Sequence, residues 1–286
     1  RIVQPAFSWL LIVSMTHFLG TRGVGQYTIV FTYYTVFQIF ASYGFRTLLA
    51  REVARHPDRA DRYLFHAGII VLPFSVVNIA LMILIIRLSG YESYIVNYSL
   101  LLSFAIFAHA LNDVFEGFFI GIQKIDIIAY LYLCENVVRV LVSIGFLYLK
   151  YDILVLFLIF VVIKFLAFVV YITLISKTIH SFKWQLSGST IKYLIRQSSA
   201  FFFTIVFATV FAHSSTLILS HFRTENEVGL FYAAHRFFWL MTIVLNSMVI
   251  SFFPIISRHF QEDFSQFARL SRKGLKYIIL FCITVV

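Results

Sequence analysis

Residues 63–86 read YLFHAGIIVLPFSVVNIALMILII, 24 consecutive positions without Asp, Glu, Lys or Arg. At 1.5 Å per residue a helix of that length measures about 36 Å, enough to cross the roughly 30 Å hydrocarbon core of a bilayer. The run is too long for a buried strand. It also lacks the every-second-residue polarity of a membrane barrel strand.

The same signature recurs along the chain. Charge-free runs cover 2–21, 23–45, 93–112, 197–222 and 237–257. The run starting at 93 continues to about 120 with isolated charges, and 127–149 and 153–176 are further spans of that kind. A last span starts near Lys276. Composition agrees: 60% of the residues are hydrophobic, 13% are charged, and Phe occurs 34 times. A soluble domain could not bury that much apolar surface and still present a charged exterior. A cytosolic enzyme, a secreted disulfide scaffold and a disordered chain are thereby excluded. The expected fold is all-α, a polytopic membrane protein with about nine transmembrane helices. Arg1 leads directly into one apolar run and Val286 ends inside another, so the sequence reads as a fragment with a truncated first helix. Residues 2–21 are too long for a signal peptide and lack its small-residue cleavage site. Cys134 and Cys282 lie in different apolar runs and read as small core residues.

Successive connections alternate between the two sides of the membrane. One set holds 15 of the Lys and Arg residues, in the basic loops 46–62, 177–196 and 258–276 and at Lys124. The other set holds Arg22, Arg87, Lys150 and Arg223. The positive-inside rule makes the first set cytoplasmic and predicts a multi-pass protein of the cytoplasmic membrane. The net charge of +10 is mostly this topology signal, not a nucleic-acid surface.

The chain also repeats itself. Gly25-Gln26-Tyr27 opens the second span, and Gly229-Leu230-Phe231 opens the eighth, 204 residues later. Arg55-His56 follows the second span, and Arg258-His259 follows the eighth. Six helices separate the copies, an even number, so the repeat is parallel. A two-lobe transporter follows: residues 1–185 form a first six-helix lobe, and 186–286 begin the second. The segment Lys177–Arg196 connects them.

Six ionisable residues fall inside the spans: Asp113, Glu116 and Glu135, and Arg139, Lys164 and Arg236. Each costs about 2.5–3.5 kcal/mol at the centre of a bilayer, so each should face a partner or a cavity. His109, Asn112, Asp113 and Glu116 share one face of the fourth span, and Glu135, Arg139 and Ser143 share one face of the fifth. Two readings stay open. The carboxylates and Arg139 neutralise one another between helices, or they line a hydrated cavity that answers to a proton or another cation. Lys164 and Arg236 have no partner within their own spans. No histidine pair shows metal-ligand spacing with a third donor. Nor does the sequence hold a Gly-rich phosphate loop, a nucleophile elbow or a zinc-binding helix pair. It reads as a non-enzyme without metal or cofactor.

Two ordered sets of residues resemble the multidrug/oligosaccharidyl-lipid/polysaccharide exporter superfamily, and within it the flippases of polysaccharide biosynthesis of the O-antigen type. The first is Leu19-Gly20-Thr21-Arg22-Gly23-Val24-Gly25-Gln26-Tyr27, then Gly44-Phe45, then Arg51-Glu52-Val53-Ala54-Arg55. The second is Val228-Gly229-Leu230-Phe231-Tyr232-Ala233-Ala234-His235-Arg236, then Phe253-Pro254, then Ser257-Arg258. The resemblance implies two pseudo-symmetric six-helix bundles, alternating access, and a lipid-linked, phosphate-bearing saccharide as cargo. Related lipid II flippases place a cavity arginine in a Tyr-Ala-x-Arg pattern early in the eighth helix. That role carries over to Arg236, with one extra residue after Ala233. The arginine of their first helix has no match, because 2–21 hold no charge, and this puts lipid II itself in doubt as cargo.

The sequence therefore predicts flipping of a polyprenyl-(pyro)phosphate-linked oligosaccharide. Arg236, Arg139 and Lys164 are the candidate anion contacts, and Asp113, Glu116 and Glu135 are coupling or structural carboxylates. Tyr33, Tyr34 and Trp239 either stack on sugar rings or pack between helices. An alternative is export of a drug or other small molecule. A second alternative is a membrane scaffold for a glycan-polymerising complex, with glycan polymerase or glycosyltransferase machinery as partners.

Overall fold

The structure is a computed structural model that describes residues 3–179, 186–236 and Arg272, with side chains from Phe7 onward. The chain divides into two compact units, residues 3–232 and residues 233–286. Every regular element among the described residues is helical.

Helix α1 (Val3–Ser42) holds the first two predicted spans. They are separated at Gly20, whose backbone leaves the helix at φ 68°, a left-handed angle that glycine adopts without a Cβ clash. Then come α2 (Phe45–Arg55) and a 3-10 turn at Pro57–Arg59. The remaining long helices are α3 (Ala60–Leu88), α4 (Ser93–Gly121), α5 (Ile125–Tyr148), α6 (Ile153–Thr178) and α7 (Gly188–Phe222). An eighth, α8, starts at residue 225 and is described to 236. Five of these, α3 to α7, are long and apolar enough to cross a membrane. The charge-free run 237–257 of the eighth predicted span, with Trp239 and Phe253-Pro254, the basic loop 258–276 apart from Arg272, and the ninth span from Lys276, with Cys282, lie outside the described residues.

Two expectations are corrected. The polar segment 46–62 is no loop. Phe45, Leu48, Leu49, Glu52 and Val53 recur at helical spacing and are buried, so 45–55 forms an amphipathic helix. The connection drawn through 177–196 is also shorter, because α7 begins at Gly188. A 35-residue helix is about 52 Å long and extends well past the hydrocarbon core, where Lys192 and Arg196 are tolerated.

Helix α4 is the axis of the first unit, packed against α1, α2, α3, α5 and α6. Its contact with α2 is backbone-close. A Cβ on Gly117 would lie 2.5 Å from the Arg46 carbonyl oxygen, and one on Gly121 would lie 2.6 Å from the Val53 Cβ. Small residues at such crossings let helices approach where lipid supplies no hydrophobic drive. The outward faces carry Val76, Leu84, Tyr130, Leu141, Leu166, Phe207 and Phe211, exposed as a lipid-facing surface requires. Cys134 is exposed on this face of α5 and is not a core residue.

Candidate functional site

The interior of α1, α4, α5 and α6 holds a network of charged and polar side chains. Glu116, 4% exposed, receives the guanidinium of Arg46 at 3.0 Å, the hydroxyl of Tyr132 at 2.8 Å and that of Tyr171 at 3.2 Å. Asp113, one helical turn away, accepts from Gln38 at 2.8 Å and from Ser42 at 2.5 Å. Lys164, 6% exposed, has its ammonium 2.5 Å from Glu135. The backbone carbonyl of Lys164 accepts from Asn112 at 3.3 Å. Arg139 donates to Asn136 at 2.9 Å. Its Nε is buried without a partner among the described residues, as is Oδ1 of Asn112. Arg139 and Lys164 both lie over the ring of Phe160, at 5.7 and 5.6 Å.

The network thus contains three carboxylates and three cations, formally neutral. Five of the six predicted site residues are in it. Lys164, which has no partner within its own span, finds one on the neighbouring helix, and Glu135 pairs with it rather than with Arg139. An i,i+4 pair on one helix is worth only about 0.2–0.5 kcal/mol, so an ammonium presented from the facing helix wins easily. Arg236 lies in the second unit, half-buried in α8, and is not an unpartnered charge. Tyr33 and Tyr34 are buried packing residues. The Tyr34 hydroxyl meets Nδ1 of His109 at 2.6 Å, and that of Tyr33 donates to Tyr91 at 3.4 Å. Among the described residues no set of three His, Cys, Asp or Glu side chains is placed to hold a metal ion.

A second constellation joins α1, the first turn of α4 and the start of α8. Glu225 collects Arg22 at 2.9 Å, Gln26 at 2.9 Å and Tyr94 at 2.5 Å. Thr21 donates to Asn226. Between these contacts the two copies of the repeat touch. A Cβ on Gly229 would stand 3.0 Å from the backbone nitrogen of Gly25 and would overlap the carbonyl of Thr21. A Cβ on Gly25 would overlap the carbonyl of Glu225. Alongside is an open cavity of about 450 Å³ lined by Arg22, Tyr91, Tyr94, Ser220, His221 and Glu225. The Tyr91 hydroxyl and Ser220 Oγ are 2.7 Å apart in its wall.

The entry to α8 is fixed by a reciprocal cap. The Thr224 backbone N–H and hydroxyl donate to Glu227 at 3.0 and 3.1 Å, and the Glu227 N–H donates back to the Thr224 hydroxyl. These bonds to its ionised form hold the Glu227 carboxyl below its ordinary value. The Thr224-x-x-Glu227 spacing is a legible signal that the sequence reading passed over. Arg46, Tyr132, Tyr171, Gln38 and Ser42 were also missed. Of these, only Gln38 and Ser42 leave a trace in sequence, as an i,i+4 polar pair inside a charge-free span.

Comparison with known proteins fits this architecture. A family model described as polysaccharide biosynthesis protein matches residues 2–260. An inward-facing conformation of a multidrug resistance MATE family transporter of the MOP superfamily superposes with a TM-score of 0.73 at 16% identity, covering 100% of this chain and 69% of that one. The MATE multidrug transporter DinF-BH, solved as a complex with a bound compound, gives 0.64 at 17% identity, over 99% and 68%. A MOP superfamily transporter from Pyrococcus furiosus, described as having a binding pocket of reverse polarity, gives 0.58 at 16%, over 99% and 69%. No curated protein matches the chain. At these identities the solved structures speak for the two-lobe transporter fold, and the family model speaks for descent. The chain has the fold of these MOP-superfamily transporters, with helices long and apolar enough for a multi-pass membrane protein, and it belongs to the polysaccharide biosynthesis protein family.

Proposed function

We propose that the protein flips a polyprenyl-(pyro)phosphate-linked oligosaccharide from the cytoplasmic to the outer leaflet by alternating access. Membership of the polysaccharide biosynthesis family carries the cargo class. Saccharide and phosphate cannot cross hydrocarbon unaided, whereas the polyprenyl tail can remain in lipid. The basic loops face the cytoplasm in this reading. The contact of Gly25 with Gly229, tied by Glu225, is then the outer seal, which opens as the lobe of residues 1–185 rocks against the lobe that begins at 186.

The six intramembrane charges take distinct parts. Arg139 has a buried donor to spare and Arg236 matches the cavity pattern, so both serve as anion contacts. Lys164 is held by Glu135 and can turn to a phosphate only once Glu135 takes up a proton. That makes the pair the element that links proton binding to cargo binding. Asp113 and Glu116 hold α1, α2 and α4 in register around it.

A drug-export reading is favoured by one observation, that the similar structures include multidrug transporters. Reconstitution separates the two. The full-length protein in liposomes should move a fluorescent lipid-linked sugar between leaflets and leave a cationic dye where it is. Dye efflux without lipid translocation rejects the flippase.

A further inference from the structure

Away from the charge network and the seal, a cavity of about 330 Å³ lies at the basic end of the first unit, between the starts of α3 and α7. His56, Arg59 and Arg62 line one side, and Ser189 and Thr190, in the first turn of α7, line the other. Tyr63 joins them from α3. The N-terminal end of α7 lies here, where first-turn N–H groups lack intrahelical acceptors and the helix dipole is positive. The walls are fixed to each other. The Ser187 N–H donates to Nε2 of His66 at 3.0 Å, and Nδ1 of the same ring meets the Arg62 carbonyl at 2.7 Å.

Two residues lining this cavity are more than nine-tenths buried, Tyr63 at 6% exposure and Thr190 at 7%, and their hydroxyls make no hydrogen bond among the described residues yet are not sealed from the cavity. A hydroxyl that opens into a cationic cavity and makes no bond within the protein is free to donate to an anion there. The nearby acids do not supply one. Glu52 is bonded by Arg51 at 2.9 Å and Tyr193 at 2.8 Å. Asp58 sits 3.5 Å from Arg59, and both are largely exposed, a weak and solvated pair. We propose that the cavity is a binding site for a phosphate-class anion, held by Arg59, Arg62, the Tyr63 and Thr190 hydroxyls and the first turn of α7. A lipid headgroup and a soluble phosphate offer the same chemistry, and the site stands whatever the central path carries.

The test uses the full-length protein in nanodiscs and reads the thermal midpoint and a binding curve. One arm replaces part of a phosphatidylcholine bilayer with phosphatidylglycerol. The other adds inorganic pyrophosphate to discs of phosphatidylcholine alone. A stabilising shift in the first arm alone identifies a headgroup site, in the second alone a solute site, and in both a site for either. In each case R59Q/R62Q should weaken binding at least about tenfold, the loss expected for charge-assisted hydrogen bonds. Y63F and T190V remove only a hydroxyl that opens into the cavity and makes no bond within the protein, so they should leave the unliganded midpoint unlowered and still weaken binding several-fold. No shift in either arm overturns the proposal. So does binding that survives R59Q/R62Q, or binding that Y63F and T190V both leave unchanged, since diffuse surface charge would then explain it.

Discussion

Replacing Gly229 with Ala tests whether the meeting of the two repeat copies keeps one end of the transporter shut. The new methyl would overlap the Thr21 carbonyl and press on the Gly25 nitrogen at 3.0 Å. Both are backbone atoms and cannot rotate aside. Overpacking a tight contact costs about 1–3 kcal/mol. If the open state lacks the contact, that cost falls on the closed state alone and shifts the equilibrium about 5- to 150-fold toward opening. Spin labels at Glu92→Cys and His221→Cys, two exposed positions lining the same cavity, read the change in a Cys134→Ala, Cys282→Ala background. The long-distance population should rise in Gly229→Ala. Gly68→Ala, where a Cβ meets nothing within 4 Å, should leave the distribution as it was. An unchanged distribution in Gly229→Ala, at normal expression, refutes the seal.

The polar half of the same closure should matter less. Glu225→Ala removes three bonds, but Arg22 is 69% exposed and such pairs are worth about 0–1 kcal/mol, so the label distances should shift by a smaller factor than in Gly229→Ala. The Glu227 cap carries a pH dependence. Its carboxyl is held below the ordinary 4.5, so its contribution is complete above that value and disappears as pH falls through the lower, folded value. Acidification in that window should loosen the start of α8 by hydrogen exchange, and Glu227→Gln, which can still cap, should remove this component. Lys164→Met leaves Glu135 without its buried partner and should cost about 3–5 kcal/mol, seen as a lower thermal midpoint. Lys164→Met with Glu135→Leu should recover most of that stability and still fail in lipid translocation. If the double variant transports normally, the pair is structural only.

The spans were legible because burial in lipid demands runs of uncharged residues, and those runs mark α1 and α3 to α7 within a few positions, apart from the start of α7. Helix α2 was not, because the five arginines of 46–62 mask the spacing of Phe45, Leu48, Leu49 and Val53. Lys192 and Arg196 hid the start of α7 in the same way. Within the site, the stripe of Asp113 and Glu116 could be read from helical periodicity. Their partners could not, since Arg46 comes from a different element and Gln38 and Ser42 from a span with no charge at all. Lys164 and Glu135 are 29 positions apart on different helices, a distance no local rule bridges. The 204-residue offset of Gly25 and Gly229 identified the repeat, yet only coordinates show that the two glycines touch.

The balance of three acids against three bases also bears on biosynthesis. No single helix carries it: α4 holds Asp113 and Glu116, α6 holds Lys164, and Arg46 comes from α2. A nascent α5 released sideways into lipid would carry Glu135 without the Lys164 ammonium of α6 that pairs with it. The early helices must therefore be retained beside the insertion machinery until α6 is synthesised, and a polypeptide interrupted before that point is a natural target for membrane quality control.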